Sequence, residues 1–169
     1  MQTRHLEAII FSAKAAIAAV ASVVIYNFSG LTGPGWAAIS AVLVIQPNLH
    51  SSFKASLTRV IANLVGAFGG AALLVIIGHT LPALAIGILL TGLICHWLKA
   101  DDAVRPAFAA VVIVIFSNES GKWDGPRDRV IAVIIGCACA LAVGFLFDKF
   151  TDAIKLNDKE TEKTAKSSE

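Results

Sequence analysis

Two long stretches without charged side chains constrain this chain more than any other feature. Residues 15–53 and 60–98 each form 39 consecutive positions without Asp, Glu, Lys or Arg. A membrane-spanning helix needs about 20 apolar residues, so each stretch is long enough for two such helices. Each is interrupted near its middle, at Ser29–Gly35 and at Gly78–Pro82, by residues that end helices and form turns. The pattern predicts two helical hairpins embedded in lipid.

The rest of the chain also favours a membrane protein. Apolar residues make up 56% of the sequence and charged residues 15%, whereas about a quarter of the residues in a soluble domain are charged. Two further apolar runs, 106–116 and 130–147, bring the total to six segments. The net charge of +2 gives no reason to expect nucleic acid as a partner. We therefore predict an all-α integral membrane protein with six transmembrane helices, in contact with membrane lipids.

An internal repeat with a period of 70 residues divides the six segments into two groups. Without a gap, residues 36–72 and 106–142 are identical at 11 of 37 positions. Apolar runs match easily by chance, so the polar and small identities are the informative ones: Asn48 with Asn118, Arg59 with Arg129, and Gly66 with Gly136. Each repeat holds three segments, and an odd number of crossings reverses the orientation of the second copy. This is the inverted-topology arrangement from which many secondary transporters are built.

The predicted transmembrane domain covers residues 1–148, with repeat one at about 8–78 and repeat two at about 79–148. Residues 149–169 form a polar tail, which we expect in the cytoplasm. Lys and Arg concentrate on one side of the six segments, and the positive-inside rule then places both termini in the cytoplasm. A duplicated membrane scaffold without transport is the alternative interpretation of the repeat.

The middle segment of each repeat is short. Trp36–Gln46 and Pro106–Phe116 are 11 residues each, which corresponds to roughly 16 Å of helix, about half of the hydrocarbon core. Short segments at matching places in two repeats point to the binding site of a transporter. The alternative is that the first segment continues through a kink at Pro47 to Phe53 and spans the membrane fully.

Small residues recur at every fourth position of the last segment in each repeat. They are Ala62, Gly66 and Gly70 in the third segment and Gly136, Ala140 and Gly144 in the sixth. Such stripes allow membrane helices to approach closely. We expect the third and sixth helices to cross at the centre of the domain or to form a contact between subunits.

The run GPGWAAISAVLVIQPNLHSSFKASLTRVIANLVGAFGG, residues 33–70, resembles the fusaric acid resistance and aromatic acid exporter family of bacterial inner-membrane proteins. It is similarly related to the plant aluminium-activated malate transporters. The shared elements are Trp36, the joint Gln46-Pro47-Asn48, Arg59 and Gly66. The second run, DRVIAVIIGCACALAVGFLFD, resembles the sixth helix of that family. Family members usually have Gly-Thr where this chain has Ala62-Asn63.

The resemblance implies an exporter of organic anions, typically aromatic carboxylic acids, in a bacterial inner membrane. The substrate carboxylate would bind Arg59 and Arg129, whose planar forks suit it. Three further side chains would assist: Asn48 and Asn118 by hydrogen bonds and Trp36 by stacking on a ring. A positive cytoplasmic entrance would be formed by Lys54, His50 and Arg105. Because larger family members carry a cytoplasmic domain that is not seen in this sequence, we also expect a homodimer.

Other interpretations remain open at this stage. Arg59 and Arg129 could be topology anchors that reach lipid phosphates from the membrane surface. An anion-conducting channel and a non-transporting membrane subunit are alternatives to an alternating-access exporter. The apolar runs hold no pair of carboxylates, no Ser/His/Asp set and no Cys/His metal spacing. We therefore predict neither an enzyme nor a bound cofactor or metal.

Overall fold

A computed structural model describes residues 2–30, 35–117 and 124–166, and every regular element in these ranges is helical. The elements are α1 (Gln2–Phe28), α2 (Gly35–Val44), α3 (Leu49–Ile77), α4 (Leu81–Trp97), a 3-10 turn (Asp101–Ala103), α5 (Val104–Ser117) and α6 (Asp124–Lys166). The predicted all-α class and the six helices agree with this architecture.

Three helices are long and apolar enough to cross a membrane, over Ala8–Phe28, Leu49–Ile77 and Pro126–Phe150. Gly35–Val44 and Leu81–Trp97 are shorter apolar helices. With apolar helices of this number and length, the chain is a multi-pass membrane protein. The helix α6 continues without a break to Lys166, so the backbone of the polar segment after Asp148 is helical as far as that residue.

The first repeat breaks its middle segment before Pro47. The helix α2 has 10 residues and ends at Val44, and Phe53 already belongs to α3. The alternative of one kinked helix through Pro47 to Phe53 is therefore wrong. Asn48 has an extended backbone, and its Oδ1 accepts a hydrogen bond from the Ser51 amide at 2.9 Å. This N-cap starts α3 at Leu49, ten residues before Arg59 and within the polar part of the sequence, because a capped helix does not need an apolar first turn.

The helix pairs follow the repeat. α3 packs on α5, and the equivalent helix α6 packs on α2. α1 packs on α2 and α6, and the equivalent helix α4 packs on α5 and α3. When α1, α2 and α3 are exchanged with α4, α5 and α6 in that order, each of these pairs becomes another pair of the set. α3 and α6, the equivalent last helices, also pack on each other. They run antiparallel, because Asn63 contacts Arg129 whereas Ser56, nearer the start of α3, contacts Cys137, further along α6.

Two glycines of the predicted stripes, Gly66 and Gly136, lie against the middle helices of the opposite repeat. A Cβ added at Gly66 would overlap the carbonyl oxygen of Ala107 and come within 2.7 Å of the Ala110 Cβ. A Cβ added at Gly136 would overlap the carbonyl oxygen of Ala37 and come within 2.9 Å of the Ser40 Cβ. The glycines and their neighbours are equivalent across the 70-residue repeat.

An ion pair joins the first helix to the last. Lys14 Nζ lies 2.7 Å from Asp148 Oδ1, and the exposed fractions of the two side chains are 7% and 36%. The ammonium also lies 5.7 Å from the centre of the Phe147 ring. The Lys14 charge that interrupts the apolar sequence of α1 is thus buried against α6.

We expect Asp148→Asn to lower the free energy of unfolding by up to about 3 kcal/mol, because it leaves a buried ammonium without its counter-charge. Lys14→Met is expected to cost less, since the remaining carboxylate is partly exposed to water. Unfolding in mixed detergent micelles measures both. The double variant Lys14→Met, Asp148→Asn should recover most of the stability that Asp148→Asn loses. A double variant that is less stable than Asp148→Asn would contradict an interaction between the two charges.

Candidate functional site

Arg129 is held by contacts with two other helices. Its side chain is 5% exposed. Its Nε donates a hydrogen bond to the Asn63 Oδ1 on α3 at 3.1 Å, and its Cζ lies 4.1 Å from the centre of the Trp36 ring on α2. Asn63 in turn donates from Nδ2 to the Arg59 carbonyl oxygen at 2.9 Å. The buried Nη1 of Arg129 has no hydrogen-bond partner among the described residues.

Arg59 lies one helical turn before Asn63 and is partly buried. Its Nε is buried and has no hydrogen-bond partner among the described residues. Asn63 therefore connects Arg59 to Arg129. Within the described ranges, neither guanidinium forms an ion pair with a carboxylate. The site therefore contains two partly dehydrated positive charges.

A cavity of about 490 Å³ opens beside Arg59. Its lining combines apolar and polar side chains: Leu43, Gln46, His50, Ser51, Lys54, Ala55, Thr58, Arg59, Asp102 and Pro106. Residues from both repeats contribute, since Asp102 and Pro106 belong to the second. Lys54 Nζ lies 3.1 Å from Asp102 Oδ2, and both side chains are at least 70% exposed. This pair connects the two repeats at the edge of the cavity and offsets part of the positive charge expected there.

The structure brings together only some of the residues that the sequence suggested for the site. Trp36, Arg59 and Arg129 are clustered with Asn63, and His50 and Lys54 line the Arg59 cavity. Asn48 is exposed and serves as the N-cap of α3. Arg105 is not among the residues that line the cavity, although the next residue, Pro106, is. Asn118 lies outside the described residues.

Arg129 lies inside the helix bundle, whereas Arg59 is partly buried beside the cavity. An anchor that reaches lipid phosphates would keep its guanidinium at the surface, whereas Arg129 is 5% exposed and contacts residues of α2 and α3.

Asn63 was not predicted as a site residue. The sequence showed it only as a departure from the family pattern. The available signal was its position: an amide four residues after Arg59 lies one turn along the same face of the helix. Its partner on α6 could not be read from this spacing, because the crossing point of α3 and α6 determines which residues meet.

Comparison with known proteins places the chain in a family. A family model described as fusaric acid resistance protein-like matches residues 17–143. The chain belongs to this family. The matched range runs from α1 into α6 and includes Trp36, Arg59, Asn63 and Arg129.

Two curated relatives share a moderate similarity with the chain. The UPF0421 protein YgaE of Bacillus subtilis (strain 168) is 25% identical over 134 residues, which cover 79% of this chain and 38% of that protein. The uncharacterized transporter YdhK of Escherichia coli (strain K12) is 27% identical over 154 residues, which cover 83% of this chain and 22% of that protein. The chain thus spans less than two-fifths of the length of either relative. No solved structure matches the chain.

Proposed function

We propose that this member of the fusaric acid resistance protein-like family transports organic anions out of the cell across a bacterial inner membrane. The transport role is proposed in place of a catalytic one. The observation that carries the proposal is the pair Arg59 and Arg129, which are connected through Asn63: each guanidinium has a buried nitrogen that has no hydrogen-bond partner among the described residues.

The electrostatics favour an anionic ligand. Removing an ion from water costs several kcal/mol unless a counter-charge and hydrogen bonds replace the lost hydration. In the described part of the bundle, neither arginine is paired with a carboxylate. An anion in the cavity beside Arg59 would supply the missing counter-charge to that guanidinium. Arginine also offers two parallel N–H donors to a carboxylate.

The cavity lining supports an anion with an apolar body. Leu43, Ala55 and Pro106 provide apolar surface, whereas Arg59 and Thr58 are among the residues that provide polar contacts. Its volume of about 490 Å³ falls within the usual range for small-molecule sites, about 300–1,000 Å³. We therefore propose aromatic carboxylates as the substrate class.

An alternating-access mechanism would follow from an inverted repeat. The antiparallel packing of α3 on α6 and the exchange of helix pairs between the repeats support this arrangement. We propose that both termini lie in the cytoplasm and that the Arg59 cavity opens toward the cytoplasm.

Single-cysteine labelling tests the proposed topology. The native residues Cys95, Cys137 and Cys139 are buried and can be replaced by alanine. In intact cells, a membrane-impermeant maleimide should label a cysteine introduced at Arg127 and should leave one at Lys99 unlabelled until the membrane is opened. Labelling of both positions from outside would contradict the inverted arrangement.

Efflux from proteoliposomes tests the transport function. Liposomes that contain purified protein and radiolabelled 4-hydroxybenzoate or benzoate should release it with saturable kinetics, and release should depend on a proton gradient if protons drive export. A non-saturating anion current would indicate a channel. Absence of both release and current would contradict transport by this chain and indicate a membrane subunit without transport activity.

A further inference from the structure

The two arginines that align in the repeats have different surroundings. The Arg129 guanidinium contacts the Trp36 ring and donates to the Asn63 oxygen. The positions 70 residues after Trp36 and Asn63, which would serve Arg59 in the same way, hold Pro106 and Val133. A proline and a valine side chain offer neither an aromatic ring nor a hydrogen-bond acceptor. The Arg59 Nε accordingly has no partner among the described residues, and Pro106 lines the adjacent cavity.

The two repeats pack in the same way, so positions 70 residues apart occupy equivalent places. Gly66 meets Ala107 and Gly136 meets Ala37, so contacts in one repeat recur in the other with a shift of 70. The difference around the arginines is therefore a difference in side chains at equivalent places.

The contacts of Arg129 are those that an aromatic carboxylate would make. A π face against the guanidinium is favourable, and an oxygen acceptor matches the N–H donors of the arginine fork. Trp36 supplies the first contact and Asn63 supplies the second. We propose that Arg129 is a second anion site. Its guanidinium is occupied here by Trp36 and Asn63, which compete with the ligand for it. This inference rests on the proposed transport function.

The chain then has two anion sites, one accessible to the ligand and one blocked. The Arg59 site is open to the cavity, and the Arg129 site is closed by the protein's own side chains. In the opposite-facing state, Trp36 leaves Arg129 and a ligand takes its place, while the Arg59 cavity closes. Trp36 is then a positioning residue that controls access to Arg129.

Chemical modification of the two arginines tests this inference without requiring transport. Phenylglyoxal reacts with accessible guanidinium groups, and mass spectrometry of the digested, detergent-solubilised full chain measures the rate at each arginine. In the wild-type protein, Arg59 should react at least ten times faster than Arg129. Trp36→Ala should raise the Arg129 rate at least tenfold. Trp97→Ala is the matched control, because Trp97 is 85% exposed on α4 and should leave both rates unchanged.

Two further variants keep the inference testable if Trp36→Ala does not fold. Asn63→Val removes the acceptor but keeps the Trp36 ring, and should raise the Arg129 rate by a smaller factor. Val133→Asn gives Arg59 the acceptor that Arg129 already has, and should lower the Arg59 rate several-fold. Each variant is compared at equal monodispersity in size-exclusion chromatography.

Protection by benzoate separates the two proposals. Benzoate should slow the modification of Arg59 in the wild-type protein and of both arginines in Trp36→Ala. If benzoate protects Arg59 but Arg129 stays unreactive or unprotected in Trp36→Ala, the second site is overturned and the proposed function stands. If benzoate does not protect Arg59 in the wild-type protein, the proposed function itself is contradicted.

Discussion

Arg59→Gln is expected to reduce the rate of benzoate release from proteoliposomes at least 100-fold. Glutamine keeps a polar side chain of similar reach but removes the positive charge and the paired donors beside the cavity. A 100-fold loss corresponds to about 2.8 kcal/mol, within the range found when one partner of a buried charge-assisted interaction is removed. Arg59→Lys should be intermediate, because an ammonium keeps the charge but cannot form the planar fork.

The matched control is Arg105→Gln. It removes the same charge from a residue that does not line the cavity but precedes Pro106, which does. We expect less than a threefold effect on release. Equal losses in Arg59→Gln and Arg105→Gln would show that general electrostatic attraction controls the rate, and full activity in Arg59→Gln would exclude the cavity as the transport route.

Gly66→Ala and Gly136→Ala are expected to destabilise the bundle strongly. At both positions the new methyl group would overlap a backbone carbonyl oxygen of α5 or α2. A backbone oxygen in a packed helix cannot move aside as a side chain can, so the helices have to separate. Overpacking of this kind costs typically about 1–3 kcal/mol. Here it exceeds the gain of about 1 kcal/mol that alanine brings over glycine in a helix.

Gly69→Ala provides the control on the same helix. A methyl group there would lie 3.7 Å from the Thr91 Oγ1, which is ordinary contact. We expect Gly69→Ala to have unchanged or slightly higher stability, with Gly66→Ala and Gly136→Ala both below the wild type in detergent-based unfolding. If all three variants behave alike, the close approach of α3 to α5 and of α6 to α2 is not what limits substitution.

The sequence was sufficient to predict the helices and their equivalence. Charge-free length predicted six apolar segments, and three of the described helices are long enough to cross a membrane. The 70-residue repeat paired Gly66 with Gly136. The repeat does not tell which equivalent residues meet in space. The third and sixth helices were expected to cross at the centre or to meet between subunits, and α3 and α6 do pack on each other. Gly66 and Gly136, however, lie against α5 and α2.

The composition of the site was harder to predict for the same reason. Asn48 and Arg59 both align with identical residues of the second repeat, yet Asn48 caps α3 while Arg59 lies beside the cavity. Asn63 has no identical counterpart, but the antiparallel crossing of α3 and α6 places it against Arg129. A search for identical residues in the two repeats therefore finds positions that are the same in both halves. It does not find residues such as Asn63, which occur in one half only.

The uninterrupted course of α6 has a mechanical consequence. From Arg129 to Lys166 the helix extends for 37 residues, about 55 Å at 1.5 Å per residue. A tilt of about 10° pivoting at Arg129 would therefore displace the far end by roughly 10 Å, given this rigid rise. We expect a spectroscopic label near the end of the helix to report such a tilt, and therefore a small rearrangement around the Arg129 guanidinium.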